Sequence, residues 1–339
     1  MKAPTVLVVM LVVLVVTVLL SMLLGRYPVS LADLQLYFST HLLGQQSADI
    51  DISRMQVLEN ILMDIRLPRI VAALLIGASL SVAGVVFQSM FINPLVSPGV
   101  LGVLSGASFG AAVGMIVGKS WLIVQLGAFS CGLLAVTIAL SLALINRGDR
   151  LLMLILGGII SGAMFTALLS VVKYLADPYE QLPAIVYWLM GGLSATDART
   201  VLTVSLPMVA GILLLLALSG YLNVMSMGDE EARSLGVNVT LLRLLFIFLA
   251  TIISALTVIL GGIIGWVGLL IPHIARMMVG PDNRLLLPAA ALVGATYLVI
   301  ADDIARLLFS VEIPIGILTS LIGIPFFAFV LARTRKGWG

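Results

Sequence analysis

Charge is nearly absent from the interior of this chain's apolar runs, and that sorting restricts the fold more than any other feature. Lys, Arg, Asp and Glu make up 10% of 339 residues. None of them occurs between Arg69 and Lys119, Arg243 and Arg276, Arg284 and Asp302, or Glu312 and Arg333. The hydrophobic fraction is 61%, against about 45–50% in soluble domains. A backbone in lipid must satisfy its own hydrogen bonds, as a helix or as a closed barrel. Barrel strands alternate apolar and polar residues, and these runs do not. The fold class expected is therefore an all-α integral membrane bundle, a single transmembrane domain over 1–339.

A spanning helix takes about 20 apolar residues. Runs of that kind cover 6–24, 69–91, 99–118, 121–145, 151–172, 201–221, 242–259, 262–279, 285–301 and 313–332, which predicts ten transmembrane helices with both termini on one side. The first run follows Lys2 and resembles a signal peptide. It is long and no A-x-A site follows, so it is read as a retained anchor. Orientation follows Lys and Arg in the short gaps. With the N-terminus cytoplasmic, inside gaps hold Lys2, Arg147, Arg150, Arg233, Arg243, Arg276, Arg284, Arg333, Arg335 and Lys336. Outside gaps hold Arg26, Arg54, Arg66, Arg69, Lys119, Lys173, Arg199 and Arg306. The basic tail Arg333-Thr334-Arg335-Lys336 tips this balance toward cytoplasmic termini.

Two expected outside segments are long. Residues 26–66 hold the capping-box-like start Ser30-Leu31-Ala32-Asp33, then Met55, Leu58, Ile61, Leu62 and Ile65 at helical spacing. They are read as amphipathic helices lying on the membrane surface. Residues 173–200 carry a run, Leu182 to Leu193, too short to span, which suits a short helix at the outer mouth. Gly102, Gly106, Gly110, Gly114 and Gly118 recur at every fourth position, a stripe where another helix can approach closely. Inside, Gly228 to Asn238 places acids first, a base after them and Gly236 at the end, the charge order of a short capped helix.

Several chemistries are excluded or disfavoured. Net charge is +2, which implies no nucleic-acid partner. Cys131 is the single cysteine, and His273 and His41 lack neighbouring ligands, so no metal site and no cofactor are expected. His273, beside Pro272, is read as a structural residue. A secondary transporter or channel would want a charged relay at membrane depth, and an intramembrane enzyme a catalytic cluster there. The middle of every span lacks Asp, Glu, Lys and Arg. No G-x-x-x-x-G-K-[ST] is present, so ATP hydrolysis is not expected of this chain.

The loop Glu231-Ala232-Arg233-Ser234-Leu235-Gly236 resembles the coupling loop of permeases in ATP-binding-cassette (ABC) importers for iron chelates, haem and cobalamin, the FecCD-like, type II importers. Arg66-Leu67-Pro68-Arg69, Gln88 with Asn93-Pro94-Leu95, Gly265-Trp266-Val267-Gly268 through Pro272-His273 and Arg276, and Ala301-Asp302 with Ala305-Arg306 and Ile313-Pro314-Ile315-Gly316 agree with that family in order. The resemblance covers essentially 60–330. Trp266 stands where Phe is commoner and Ile92 where a polar residue is commoner.

What the resemblance implies is a homodimer of ten-helix subunits in the cytoplasmic membrane, two cytoplasmic ABC ATPase subunits, and a substrate-binding protein docking outside. By it, Asp229, Glu230, Glu231, Ala232, Arg233, Ser234, Leu235 and Gly236 couple to the ATPase. Arg66, Arg69 and Arg306 match arginines that pair with acidic knobs on the binding protein. Exposed arginines grip carboxylates bidentately, and lipid-headgroup anchoring is the plainer role of Arg near helix ends. Asn93 and Leu95 match a cytoplasmic gate, and a helix cap followed by a proline stop is the plainer role there. A second gate is not carried over, because Asn146-Arg147-Gly148-Asp149-Arg150 is more charged than the family pattern. Ferric siderophore is the expected cargo as the commonest case, with haem, cobalamin and molybdate as alternatives.

Overall fold

The computed structural model describes residues 3–43, 52–118, 120–145 and 150–334. Lys2, Lys119, Arg147, Arg335 and Lys336, used above to orient the chain, and most of the charged loop 146–150 lie outside the described residues. Among the described residues every regular element is helical.

Helix α1 (Ala3–Leu23) is apolar all round and exposed over most of its surface. It lies along α14 (Asn283–Leu307). Helices α2 (Leu31–Leu43) and α3 (Ile52–Glu59) follow. Ser30 opens α2 with a reciprocal cap: its N–H donates to the Asp33 carboxylate at 2.9 Å, and its hydroxyl accepts from the Asp33 N–H at 3.1 Å.

Helix α3 does not end at a boundary. It passes through a π-helical stretch, Asn60–Arg66, straight into α4 (Leu67–Met90). Residues 54–90 are one unbroken helical run. The separate surface helix expected before the second span is thus the forward extension of that span. Pro68 lies within this run, just past the π-helical stretch, at the start of α4. Helix α4 is buried around its circumference, as befits a helix with no polar face.

A turn of 3-10 helix, Pro98–Leu101, leads into α5 (Val103–Val117). The glycine stripe of α5 packs on α6 (Trp121–Ile145). Gly106, Gly110 and Gly114 each leave no room for a methyl against Cys131, Gly127 and Val124 of that helix. Then come α7 (Arg150–Leu175), α8 (Gln181–Leu189) and α9 (Ala198–Ala217). The sequence runs the sixth span on to residue 221. The helix instead stops at Leu218, and a separate α10 (Ser219–Met225) carries the chain to α11 (Asp229–Ser234).

Helices α12 (Val239–Gly261), α13 (Val267–Val279), α14 and α15 (Ile315–Thr334) complete the chain. Helix α14 outruns the expected span: it continues to Leu307 and so carries Asp302, Asp303 and Arg306 on helix rather than in a gap. Seven described helices are long and apolar enough to cross a membrane, and three apolar helices, Val103–Val117, Val267–Val279 and Ile315–Phe329, are shorter.

The centre of the bundle is the antiparallel pair α4 and α14. Arg69 bonds Asp302, Gly77 meets Gly294, and the Ser89 hydroxyl donates to the Asn283 side-chain amide oxygen at 2.9 Å. These rungs advance nearly in step along both helices. At the middle rung a methyl on Gly77 would overlap the Gly294 carbonyl, so the two backbones touch. This seam fixes two poles. One holds Arg66, Arg69 and the end of α14. The other holds the end of α4, the start of α14 and the acidic helix α11.

Candidate functional site

At the second pole, α11 is the most exposed charged element. Glu230, Glu231, Arg233, Ser234, Leu235 and Gly236 face outward, while Ala232 is fully buried under them. Asp229, Glu230 and Glu231 fill the first turn and Arg233 the last, matching the helix dipole. The helix closes in a Schellman motif: the N–H of Gly236 donates to the Arg233 carbonyl at 2.9 Å and that of Val237 to the Ala232 carbonyl at 3.1 Å. Gly236 takes φ +79° to do so. Asn238 then caps α12 through its side chain, which accepts from the Leu241 N–H at 3.1 Å.

The charge order held clues to this, but not to the fastening. Arg243, buried in the second turn of α12, pairs with Asp229. A second fastening joins α10 to α14. Asn223 donates to Asp282 at 2.6 Å and accepts from the Asn283 N–H at 2.8 Å. The Asn223 bond, then the Arg284 N–H, hold the Asp282 carboxyl below its ordinary range. Asn283 also takes the Ser89 bond, so α10, which leads into the acidic helix, is bonded directly to the α4–α14 seam.

Asn93 and Leu95 lie just past the end of α4. Ile92 turns the chain with φ +49°, unusual for a β-branched residue. The Asn93 carbonyl oxygen then accepts from the Leu95 N–H at 2.9 Å, an Asx turn that presents Leu95 half-exposed. Beside it a crevice of about 380 Å³ is lined by Gln88, Asn93, Ser226, His273, Arg276 and Asn283 among others. Arg276 donates to Gln88 at 3.2 Å. His273 makes an edge contact with Phe326, centroids 6.4 Å apart. Among the described residues no group of His, Cys, Asp and Glu could hold a metal ion.

At the first pole the structure corrects the expectation of exposed arginines. Arg66, Arg69 and Arg306 are only 3%, 8% and 8% exposed. Arg66 donates to the carbonyls of Met22 and Tyr27, closing the α1–α2 connection onto α4. Arg69 forks: Nε bonds Asp302 at 2.9 and 3.0 Å, and Nη1 meets Glu312 at 3.1 and 3.2 Å. Arg306 stands 3.1 Å from Asp302 and pairs with Asp303, which also accepts from the Ser21 hydroxyl at 2.7 Å. The chain therefore does bury ionisable groups, contrary to the charge-free interior expected, but it gathers them at one end of the seam and pairs them. Asp302, Asp303 and Glu312 were missed as functional candidates. The i,i+3 and i,i+4 spacing of Asp303 and Asp302 to Arg306 is the signal that could have found the first two.

Among the described residues, two further hollows are lined without Lys or Arg, and the larger includes Glu180 and Asp197. One of about 200 Å³ lies between the Ser97–Gly99 and Ile264–Leu269 turns, with Leu80, Leu104 and Ser254. One of about 460 Å³ lies among Trp121, Gln125, Tyr187, Trp188 and Thr196.

Comparison with known proteins agrees with this architecture. Residues 13–333 match the model of the FecCD transport family. The chain is 40% identical over 323 residues to the molybdate import system permease protein MolB of Haemophilus influenzae, covering 95% of this chain and 93% of that one. It is 40% identical over 277 residues to a probable iron chelatin transport system permease protein of Helicobacter pylori, covering 81% and 83%. A solved structure of an inward-facing metal-chelate type ABC transporter superposes with a TM-score of 0.86 at 38% identity, over 97% of this chain and 99% of that one.

Proposed function

The chain belongs to the FecCD transport family, and from that premise we propose how it works as the permease subunit of an ABC importer in the cytoplasmic membrane. The three shorter apolar helices cross together with the seven full-length ones, giving ten spans. The arginine pole faces outward, and the acidic helix and both termini face the cytoplasm. Two such chains form the transmembrane path.

The observation that carries this reading is α11: a six-residue helix of mostly exposed charged and polar groups, closed by Gly236 and anchored to α12 through Arg243. A connection between two spans needs no such construction, whereas a part that receives force from another subunit does. Two ATPase subunits seat on Asp229 to Gly236. Their closure moves α11, and with it α10, α12 and the adjacent start of α14. Leu95, presented by the Asn93 turn, is the apolar stop at the cytoplasmic mouth. A binding protein delivers cargo at the arginine pole. The chain catalyses no reaction.

Ferric siderophore is the cargo proposed. Among the described residues, the hollows beside the Trp266 and Trp188 turns are lined mostly by apolar and uncharged side chains, which suits weak handling of a bulky chelate whose selection is made elsewhere. Molybdate is the second reading, favoured by a match to MolB over 95% of this chain. Proteoliposomes holding the permease, its ATPase and its binding protein test both. ATP-dependent uptake of labelled ferric siderophore, absent for molybdate, is expected. The reverse preference selects the second cargo, and uptake without ATPase subunits overturns the importer mechanism.

A further inference from the structure

The six charged side chains at the arginine pole balance. Arg66, Arg69 and Arg306 stand against Asp302, Asp303 and Glu312. Arg69 is saturated, its Nε edge on Asp302 and its outer Nη groups on Glu312. An acidic side chain arriving from outside would meet six charges that sum to zero, with Arg66 bonded to backbone carbonyls and the outer Nη groups of Arg69 already taken.

The three carboxylates are not equally fixed. Asp302 and Asp303 lie within α14, their side chains 2% and 11% exposed. Glu312 lies between α14 and α15, outside both helices, with its side chain 28% exposed. Its connection is tethered by one backbone bond, from the Ile313 N–H to the Ala305 carbonyl at 3.1 Å. It also displays Leu308, Phe309 and Val311 to the outside, each more than half exposed. An apolar patch around a removable carboxylate suits a protein partner better than a small ion.

We propose that Glu312 is an internal stand-in for a carboxylate of the docking protein. It occupies the Nη1 and Nη2 edge of Arg69 until an acidic side chain of that protein displaces it. The exchange swaps one carboxylate for another, so the cluster stays neutral and Arg69 is never left buried and unpaired, the state that would be costly. The released Glu312 frees the α14–α15 connection at the moment of docking. This inference rests on the docking role proposed above for the arginine pole.

The test uses the complete permease–ATPase complex in nanodiscs, with the binding protein that supports uptake in proteoliposomes as the probe. Glu312→Gln removes the competing charge and leaves Arg69 in surplus. Affinity for the binding protein should rise about tenfold, with a steeper loss on adding salt. Glu312→Asp, one methylene shorter, should give a smaller gain and serves if the Gln variant does not assemble. Arg69→Gln should weaken binding. Unchanged or weaker binding by Glu312→Gln, with Arg69→Gln weakened, overturns the stand-in and leaves docking at this pole intact. Unchanged binding by Arg69→Gln overturns the docking role, and the stand-in with it.

Discussion

Arg243 of α12 reaches back fourteen residues to pair with Asp229, the first residue of the acidic helix. The pair joins an exposed element to a buried one: the Arg243 side chain is 8% exposed and that of Asp229 34%. It turns a short helix that could not hold itself together into an extension of a spanning one. Asp229→Asn removes the charge and leaves Arg243 buried without it, a loss of about 1–3 kcal/mol in local stability. The variant should assemble with the ATPase yet lose most stimulation of ATP hydrolysis by loaded binding protein. Phosphate release in nanodiscs measures this.

Gly236 works at φ +79°, which a β-branched residue adopts only with strain. Gly236→Val should break the Schellman closure and cost about 1–3 kcal/mol, confined to α11. Uptake in proteoliposomes should fall about five- to a hundredfold, since 1.4 kcal/mol is tenfold in an equilibrium. The melting temperature of the detergent-solubilised permease should hardly move, because Gly236 itself touches nothing that a new Cβ would strike.

Gly77 gives the opposite pattern. Any side chain there strikes the Gly294 backbone, and neither helix can yield without disturbing the rungs at its ends. Gly77→Val should lower stability by about 3 kcal/mol, the upper range for overpacking. Loss of monodisperse protein on size-exclusion chromatography, together with a lowered melting temperature, would register it. Retention of wild-type stability would mean the seam can open.

The Ser30–Asp33 cap supplies a pH prediction. The Ser30 N–H, then its hydroxyl, hold the Asp33 carboxyl below the ordinary carboxylate range. A folded value below the unfolded one, about 3.9, means the cap stabilises fully above the unfolded value and loses its effect as pH falls through the folded one. Exchange protection at the start of α2, corrected for intrinsic rates, should hold from pH 7 to about 4 and decline below that. Ser30→Ala should move the decline to higher pH.

The large features of the fold were legible because lipid leaves so few choices: apolar runs of sufficient length had to be helices. Element ends were less legible. Nothing in Glu59-Asn60-Ile61 marks a break or forbids one, so the join of α3 to α4 was decided by packing. Helix α14 outran its apolar run because Asp302 meets Arg69, and partners 233 residues apart in sequence leave no local pattern, unlike the spacing of Asp302 and Asp303 to Arg306. For the same reason the arginines could be picked out but not their burial. The acidic segment was legible in outline, since caps and dipole charges are local; its tie to Arg243 was not.

The Gly77–Gly294 contact has a consequence for how such a bundle can move. Two backbones in direct touch have no layer of side chains between them to compress or repack. Sliding by a fraction of a turn would drive a Cα or carbonyl into its neighbour, and at each end the pair is pinned, by Arg69–Asp302 and Ser89–Asn283. Helices α4 and α14 therefore behave as a single strut running the depth of the protein. Flexing is left to the joints around it: Ile92 and Trp266, the two non-glycine residues with positive φ among the described residues, and the glycine turns at 102, 228 and 262. Under the proposed coupling, a stroke delivered at α11 would reach the far pole as displacement of a rigid piece, not as a relayed sequence of side-chain adjustments.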